Sequence, residues 1–210
     1  MLLKIKTIAK LFIMTIALIA NFLNLAIADE LSSMPPGKYT VDRSHASVVF
    51  KVDHLGFSTY VGRFTEFSAD LSLDSQNFSK SSVEVAIKID SITTDYPFTE
   101  KEDFDKKLSE LWFKSKEFPK MKYVSKSVSQ LSDGKAQVKG ELTMLGETRP
   151  VTLNIVLNKA AVTHPVSRKT TIGFSAKTKI DRTAWGLKNY APLLGAEVFI
   201  EIEGEFVHHP

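Results

Sequence analysis

The chain has 210 residues, 27 of them Lys or Arg and 24 Asp or Glu, and it contains no cysteine. This composition excludes a disulfide scaffold, a cysteine-ligated metal and a thiol nucleophile. The length is enough for one domain to bury a core that needs no covalent staple.

The first residues read as an address. Lys4, Lys6 and Lys10 make a basic start, Leu11 to Leu25 is almost wholly apolar, and Ala26-Ile27-Ala28 supplies an A-x-A cleavage site. That order predicts a secretory signal peptide over 1–28 and a periplasmic product, with an uncleaved anchor as the competing reading. Removing 28 of 210 residues leaves 182, beginning at Asp29. Three of the 27 basic residues leave with the peptide, so 24 remain against 24 acids. A mature single domain over 29–210 is therefore balanced in charge and offers no argument for a nucleic-acid partner.

Leu31 to Gly37, with Pro35 and Pro36, reads as a linker. Tyr39 and Val41 begin a first strand, and after a break at Arg43-Ser44 the apolar positions continue at Val48, Phe50 and Val52. A turn at His54–Ser58 leads to Tyr60, Gly62 and Phe64. The alternation changes phase before Phe67, Ala69, Leu71 and Leu73, which predicts a bulge or bend near Thr65-Glu66. Val83, Val85, Ile87 and Ile89 form the next strand. Between Thr99 and Leu111 the period becomes helical, with Phe104, Leu108 and Leu111 on one face and Thr99/Glu102 as a capping box.

Strands resume at Met121, Tyr123 and Ser125. Lys135 to Asn158 is the strongest signal in the chain. Ala136, Val138, Gly140, Leu142 and Met144 alternate with polar residues. Val151, Leu153, Ile155 and Leu157 do the same beyond Leu145-Gly146-Glu147-Thr148. This pattern predicts a long β-hairpin, with Pro150 at a strand start or bulge. Ile172 to Ile180 and Val198 to Phe206 add two more strands, flanking a loop from Arg182 to Gly195.

Eight to ten half-apolar strands and one amphipathic helix predict an all-β sandwich or antiparallel barrel. A membrane barrel is excluded by Glu84, Lys88, Asp90, Lys139, Glu141, Glu201, Glu203 and Glu205 on the faces that would meet lipid.

Leu142-Thr143-Met144-Leu145-Gly146-Glu147-Thr148-Arg149-Pro150-Val151 resembles the L-T-x-x-G-x-T-x-P-V signature of the YceI-like family. Tyr39–Ala46 is similar to that family's Y-x-x-D-x-x-H-S, Val52–Ser58 to its V-x-H-L-G-x-S, Gly62-Arg63-Phe64 to its G-x-F, and Leu194–Val198 to its L-G-D-E-V. Leu108, Phe113 and Phe118-Pro119 follow its helix segment. The departures are Ala46 for Ser, Ala196 for Asp, Trp185 for Phe, and Phe104 and Lys107 at helix positions often basic or histidine. The resemblance implies a lipocalin-like β-barrel of about eight strands that is periplasmic and binds polyisoprenoid lipids.

No nucleophile elbow, H-E-x-x-H or phosphate loop is present, and no cofactor or catalytic set is expected. His45 and His54, read as neighbouring strand ends with Asp42 and Asp53 near, are hydrogen-bonding histidines or a metal site. Lys114, Lys116, Lys120, Lys122 and Lys126 are a wet strand face, or a contact for an anionic membrane surface.

Gly140, Ala176 and Gly204 on the apolar faces leave volume, and with the resemblance this favours a tunnel over a filled core. The expected lining is Phe50, Val52, Phe64, Val85, Ile87, Leu142, Leu153, Ile155, Phe174, Ala176, Ile200 and Ile202, without converging polar groups in the major strands. The expected ligand is a polyisoprenoid or quinone-like lipid, carried, stored or sequestered. Alternatives are a fatty acid or amide, an enzyme acting on a lipid, or a stress-response interaction protein with no ligand. The edge strands and the Arg182–Gly195 loop suit a homodimer interface as well as a portal.

Overall fold

The computed structural model describes residues 30–210, so the signal segment 1–28 and Asp29 lie outside the described residues. Ten strands follow in chain order: β1 Gly37–His54, β2 Ser58–Phe64, β3 Phe67–Leu73, β4 Ser82–Lys88, β5 Ile92–Thr93, β6 Lys120–Val128, β7 Lys135–Met144, β8 Glu147–Ala161, β9 Thr171–Asp181 and β10 Leu194–His209. Each pairs antiparallel with its neighbours. β10 pairs with β9 on one edge and with β1 on the other, from Lys38↔His209 to His54↔Leu194, which closes the sheet.

The ten strands make eight staves. β2 and β3 lie along the same edge of β1, one against its second half and one against its first. β4 and β5 continue one another in the same way along β3 and β2. The expected bend at Thr65-Glu66 is the junction of β2 and β3. It is matched on both sides. The register of β1 against β10 shifts between Asp42 and Ala46, and a single turn at Ile89–Ser91 separates β4 from β5.

Three adjacent staves thus break at one level, and polar contacts hold the break. Arg43 Nη2 donates to the Thr65 carbonyl at 3.0 Å, Thr65 N to the Ser91 carbonyl at 3.0 Å, and Lys88 N to the Glu66 carbonyl at 2.9 Å. Such a line of irregularity lets a sheet curl sharply enough to close.

The long hairpin is β7–β8. Its turn is shorter than the sequence suggested. Leu145 and Gly146 alone form it, both with positive φ (53° and 79°), and Glu147 and Thr148 already pair with Met144 and Thr143. Such a two-residue turn matches the twist of the flanking strands. Pro150 sits inside β8 opposite Glu141. Counting from the turn, this is a non-hydrogen-bonded position of the β7 ladder. The proline nitrogen faces the other edge, which β9 joins only from Asn154 onward.

The helix is shorter and differently wound than its periodicity suggested. An α-helical turn, α1, spans Phe104–Lys107 and continues into a π-helical turn at Leu108–Trp112. Its cap is Asp103, whose carboxylate accepts from Lys106 N at 3.0 Å, and not the Thr99/Glu102 box. Phe113 N donates to the Leu108 carbonyl at 3.0 Å, five residues back. The wider turn brings Trp112 to the inner face in place of Leu111, which is 67% exposed.

Two further positions differ from expectation. Leu31 and Met34, in the supposed linker, are only 3% and 2% exposed and belong to the core. Together with the Phe78–Phe174–Phe206 ring contacts (centroids 6.3 and 6.1 Å) they fill the end of the barrel where β1 starts and β10 finishes. Gly140 leaves no volume either. A Cβ there would lie 2.5 Å from the Tyr123 ring and 2.5 Å from the Val124 carbonyl, because Tyr123 occupies the space and donates to the Val138 carbonyl at 2.9 Å. Gly140→Ala should therefore cost about 1–3 kcal/mol by overpacking. Gly173→Ala, where a Cβ meets its nearest atoms at 3.8 and 3.9 Å, should stay within about 0.5 kcal/mol. Urea denaturation of the two variants checks the pair.

Candidate functional site

One half of the barrel, the end where β1 finishes, is hollow. A cavity of about 540 Å³ opens at the end where β1 finishes and β10 begins. Nine of the twelve positions expected to line a tunnel reach it: Phe50 and Val52 from β1, Phe64 from β2, Val85 and Ile87 from β4, Leu142 from β7, Leu153 from β8, and Ile200 and Ile202 from β10. They do so because period-two alternation turns every second side chain of a closed barrel inward.

Ile155, Phe174 and Ala176 do not touch this cavity. They line a second one, about 90 Å³, toward the filled end. Val48, Val85, Leu153 and Ile202 border both spaces and form the constriction between them.

Sequence reasoning missed the roof of the cavity. Leu108, Trp112 and Phe113 come from the helical segment, Leu187, Tyr190 and Leu193 from the β9–β10 loop, and Leu194 from the first position of β10. Trp112 and Tyr190 meet across the mouth with ring centroids 5.7 Å apart. The loop has no periodicity to read, and the π-turn shifts the helical face by one residue. Large apolar side chains of the rim meet solvent: Leu55, Tyr190 and Leu193 are exposed, and Phe57 at the β1–β2 tip is 91% exposed.

The walls are almost entirely apolar, yet not wholly so, contrary to expectation. Tyr60, Tyr123 and Thr178 reach the cavity from within strands, and His54, Lys107, Arg182 and Tyr190 stand around its open end. Burial pushes the Tyr123 phenol up to about 12, and Thr178 Oγ1 donates to the Thr152 carbonyl at 2.8 Å. Lys107 Nζ meets the Glu102 carboxylate at 2.5 Å, which raises the lysine's pKa.

Arg182, just beyond β9, is only 6% exposed. Its guanidinium donates to the carbonyls of Gly195, Leu187, Asn189 and Leu194 at 2.5–3.1 Å and so fastens the roof loop to the wall. Trp185 makes a similar tie, its indole N–H donating to the Leu142 carbonyl at 3.1 Å. A phenylalanine at that place would lack this bond. What the arrangement can do is exclude water from a long apolar molecule and hold it.

The other candidates resolve into structural roles. His45 and His54 are not at neighbouring ends but nine residues apart on β1, roughly 30 Å along an extended strand. At the β1 break the Asp42 carboxylate accepts from Ser44 Oγ (2.6 Å), His45 Nδ1 (2.9 Å) and Ser44 N (3.0 Å). Those bonds, the Ser44 hydroxyl first, hold its pKa down at about 2. Among the described residues no group of three or more His, Cys, Asp or Glu is placed to hold a metal ion. In the lysine cluster, Lys116 pairs with Glu110 (3.3 Å) and Lys126 with Glu141 (3.0 Å), so it is partly neutralised.

A closed antiparallel barrel of eight staves with one covered, hollow end is a lipocalin-like fold. The family model described as "YceI-like domain" matches residues 39–206, and the chain belongs to the YceI-like family. A UPF0312 protein of Shewanella denitrificans is 37% identical over 118 residues, an alignment covering 55% of this chain and 59% of that protein. Among solved structures, the YCEI protein of Campylobacter jejuni superposes with a TM-score of 0.66 at 26% identity, covering 76% of this chain and 91% of that one. A polyisoprenoid binding domain from Saccharophagus degradans shares the fold at 12% identity, with a TM-score of 0.61 over 81% of this chain and 98% of that one.

The placement of Phe174 has a measurable consequence. It packs between Phe78 and Phe206 below the constriction. Phe174→Ala should cost stability toward the lower end of about 3–5 kcal/mol, since the side chain is only partly buried. Binding in the main cavity should be little changed. Denaturation of the delipidated variant, alongside binding of a fluorescent prenyl lipid, checks both halves.

Proposed function

We propose that the mature chain is a periplasmic, non-catalytic carrier that holds one long apolar lipid, of polyisoprenoid or quinone type, in the barrel for transport, storage or sequestration. The observation that carries this reading is the apolar cavity of about 540 Å³ in a barrel whose other half is well packed. At ~30 Å³ for a water-sized group, the space holds about eighteen such groups. Each buried methylene contributes about 0.8 kcal/mol, so a dozen supply on the order of 10 kcal/mol before the costs of ordering the chain. The polyisoprenoid binding domain that shares this barrel supports the choice of ligand class. The exposed rim of Leu55, Phe57 and Leu193 suits brief contact with a lipid surface, where cargo passes without crossing water.

Mass spectrometry of an organic extract of the purified protein tests the reading directly. A prenyl lipid or quinone is expected, and an empty extract from protein that also fails to bind added lipid overturns it. Loaded protein should unfold at a higher temperature than delipidated protein, by the equivalent of about 2.7 kcal/mol at ligand a hundredfold above its Kd. Val52→Trp, which projects an indole into the cavity from β1, should weaken that shift at least about tenfold in Kd, or about 1.4 kcal/mol. For the signal segment, intact mass of the exported protein should correspond to a chain beginning at Asp29. Retention of residues 1–28 in a membrane fraction would contradict it.

A further inference from the structure

The charges around the cavity are all of one sign. Lys107 and Arg182 line it, and no Asp or Glu does. Both sit at the open end. Lys107 lies on the covering helical segment and Arg182 lies where β9 meets the roof loop, while the opposite end holds the Phe78, Phe174 and Phe206 rings. The main cavity is therefore polarised along its axis, with its cations at the mouth and the aliphatic constriction of Val48, Val85, Leu153 and Ile202 at its far end.

Arg182 is the sharper of the two observations. Its guanidinium is buried, and among the described residues no carboxylate lies within 4.0 Å of it. The neighbouring Asp181 carboxylate accepts from Thr183 N (2.9 Å) and Thr183 Oγ1 (2.6 Å) and acts on the guanidinium only through space, without touching it. Four carbonyl dipoles solvate the guanidinium without neutralising it, and they engage four of its five N–H groups. Burial lowers its pKa accordingly. A buried charge with no counter-ion in contact is costly, and an anion brought against it in the same low-dielectric space relieves that cost. Lys107 has its one acid partner, Glu102, outside the lining, and an ammonium has three donors.

We propose that the cavity selects amphiphiles with an anionic oxygen head, a carboxylate or a phosphate. The head sits at the mouth beside Lys107 and Arg182, and the chain runs down toward the constriction. This rests on the apolar-carrier reading above and adds the head chemistry to it. Charge-assisted hydrogen bonds are the strong ones, and either kind of oxyanion can accept them from the Lys107 ammonium and from the one guanidinium N–H that the four carbonyls leave over. A neutral prenyl chain fills the same space but brings no anion into contact with the guanidinium. An amine head adds a third positive charge.

The test uses delipidated, full-length mature protein and four probes of one chain length: hexadecanoate, hexadecyl phosphate, hexadecanol and hexadecylamine. Affinities come from displacement of a fluorescent fatty probe, below the concentrations at which each aggregates. Both anions should bind about tenfold or more tightly than the alcohol, and the amine should bind worst. The order of the two anions tells a carboxylate site from a phosphate site.

Lys107→Gln should narrow the margin, and Lys107→Glu should turn it toward the amine. Added salt should erode the part owed to Lys107, which is reached by solvent. Arg182→Gln is a weaker probe because it also releases the roof loop, so the Lys107 variants carry the test. An alcohol that binds as tightly as the anions overturns the head preference alone. A preference that Lys107→Glu leaves unmoved overturns the two-cation mouth. Binding of none of the four removes the carrier reading itself.

Discussion

The pairing of β1 with β10 is the interaction on which the rest of the structure depends. It joins the first strand of the domain to the last along nearly the whole of both, from Lys38↔His209 to His54↔Leu194. Without it the eight staves would be an open sheet with two bare edges and an apolar face turned to water. With it, the inward side chains of every stave share one interior and the outward ones share one solvated surface. The outer face of β10 shows the result. Glu201 is gripped by Lys51 at 2.6 Å and Lys177 at 3.3 Å, from the two strands that flank it.

Closure alone would give a uniform tube. The tube is uneven because three neighbouring staves break at one level, at Asp42–Ala46, Thr65-Glu66 and Ile89–Ser91. Below this bend the interior is plugged by Leu31, Met34, Phe78 and Phe174. Above it the wall is complete but the filling is missing, and the covering comes from Trp112, Tyr190 and their neighbours instead of from strands. A hollow core forgoes the dispersion contacts that close packing supplies. The protein tolerates this where a ladder of hydrogen bonds on every side keeps the wall upright.

Much of this was legible in the residues. The alternation in Ala136–Met144 and Val151–Leu157 identified the main hairpin, the phase change between Phe64 and Phe67 located the bend, and nine of twelve expected lining positions reach the main cavity. What escaped has physical causes. Periodicity reports which face is apolar but not how far along the axis a residue lies, so it places Phe174 with the tunnel although the residue lies below the constriction. Small residues suggested free space, but Gly140 is small because Tyr123 lies across it. A helical stripe assumes 3.6 residues per turn, and the π-turn replaced Leu111 with Trp112. Arg182 stood in an aperiodic loop, and its burial depends on four carbonyls that only the fold assembles.

The same long strands run through both halves of the barrel: β1 has 18 residues, β10 has 16 and β8 has 15. The filled half therefore acts as a clamp on continuous backbone, and the hollow half borrows its stiffness through the ladders instead of through side-chain contact. Local unfolding starts where few apolar contacts oppose it. Amide protons near the mouth, in β2 and at the start of β10, should then exchange with solvent sooner than those of the same ladders below the Val48–Val85–Leu153–Ile202 constriction. One chain would thus comprise a permanent base and a breathing collar, divided at the bend.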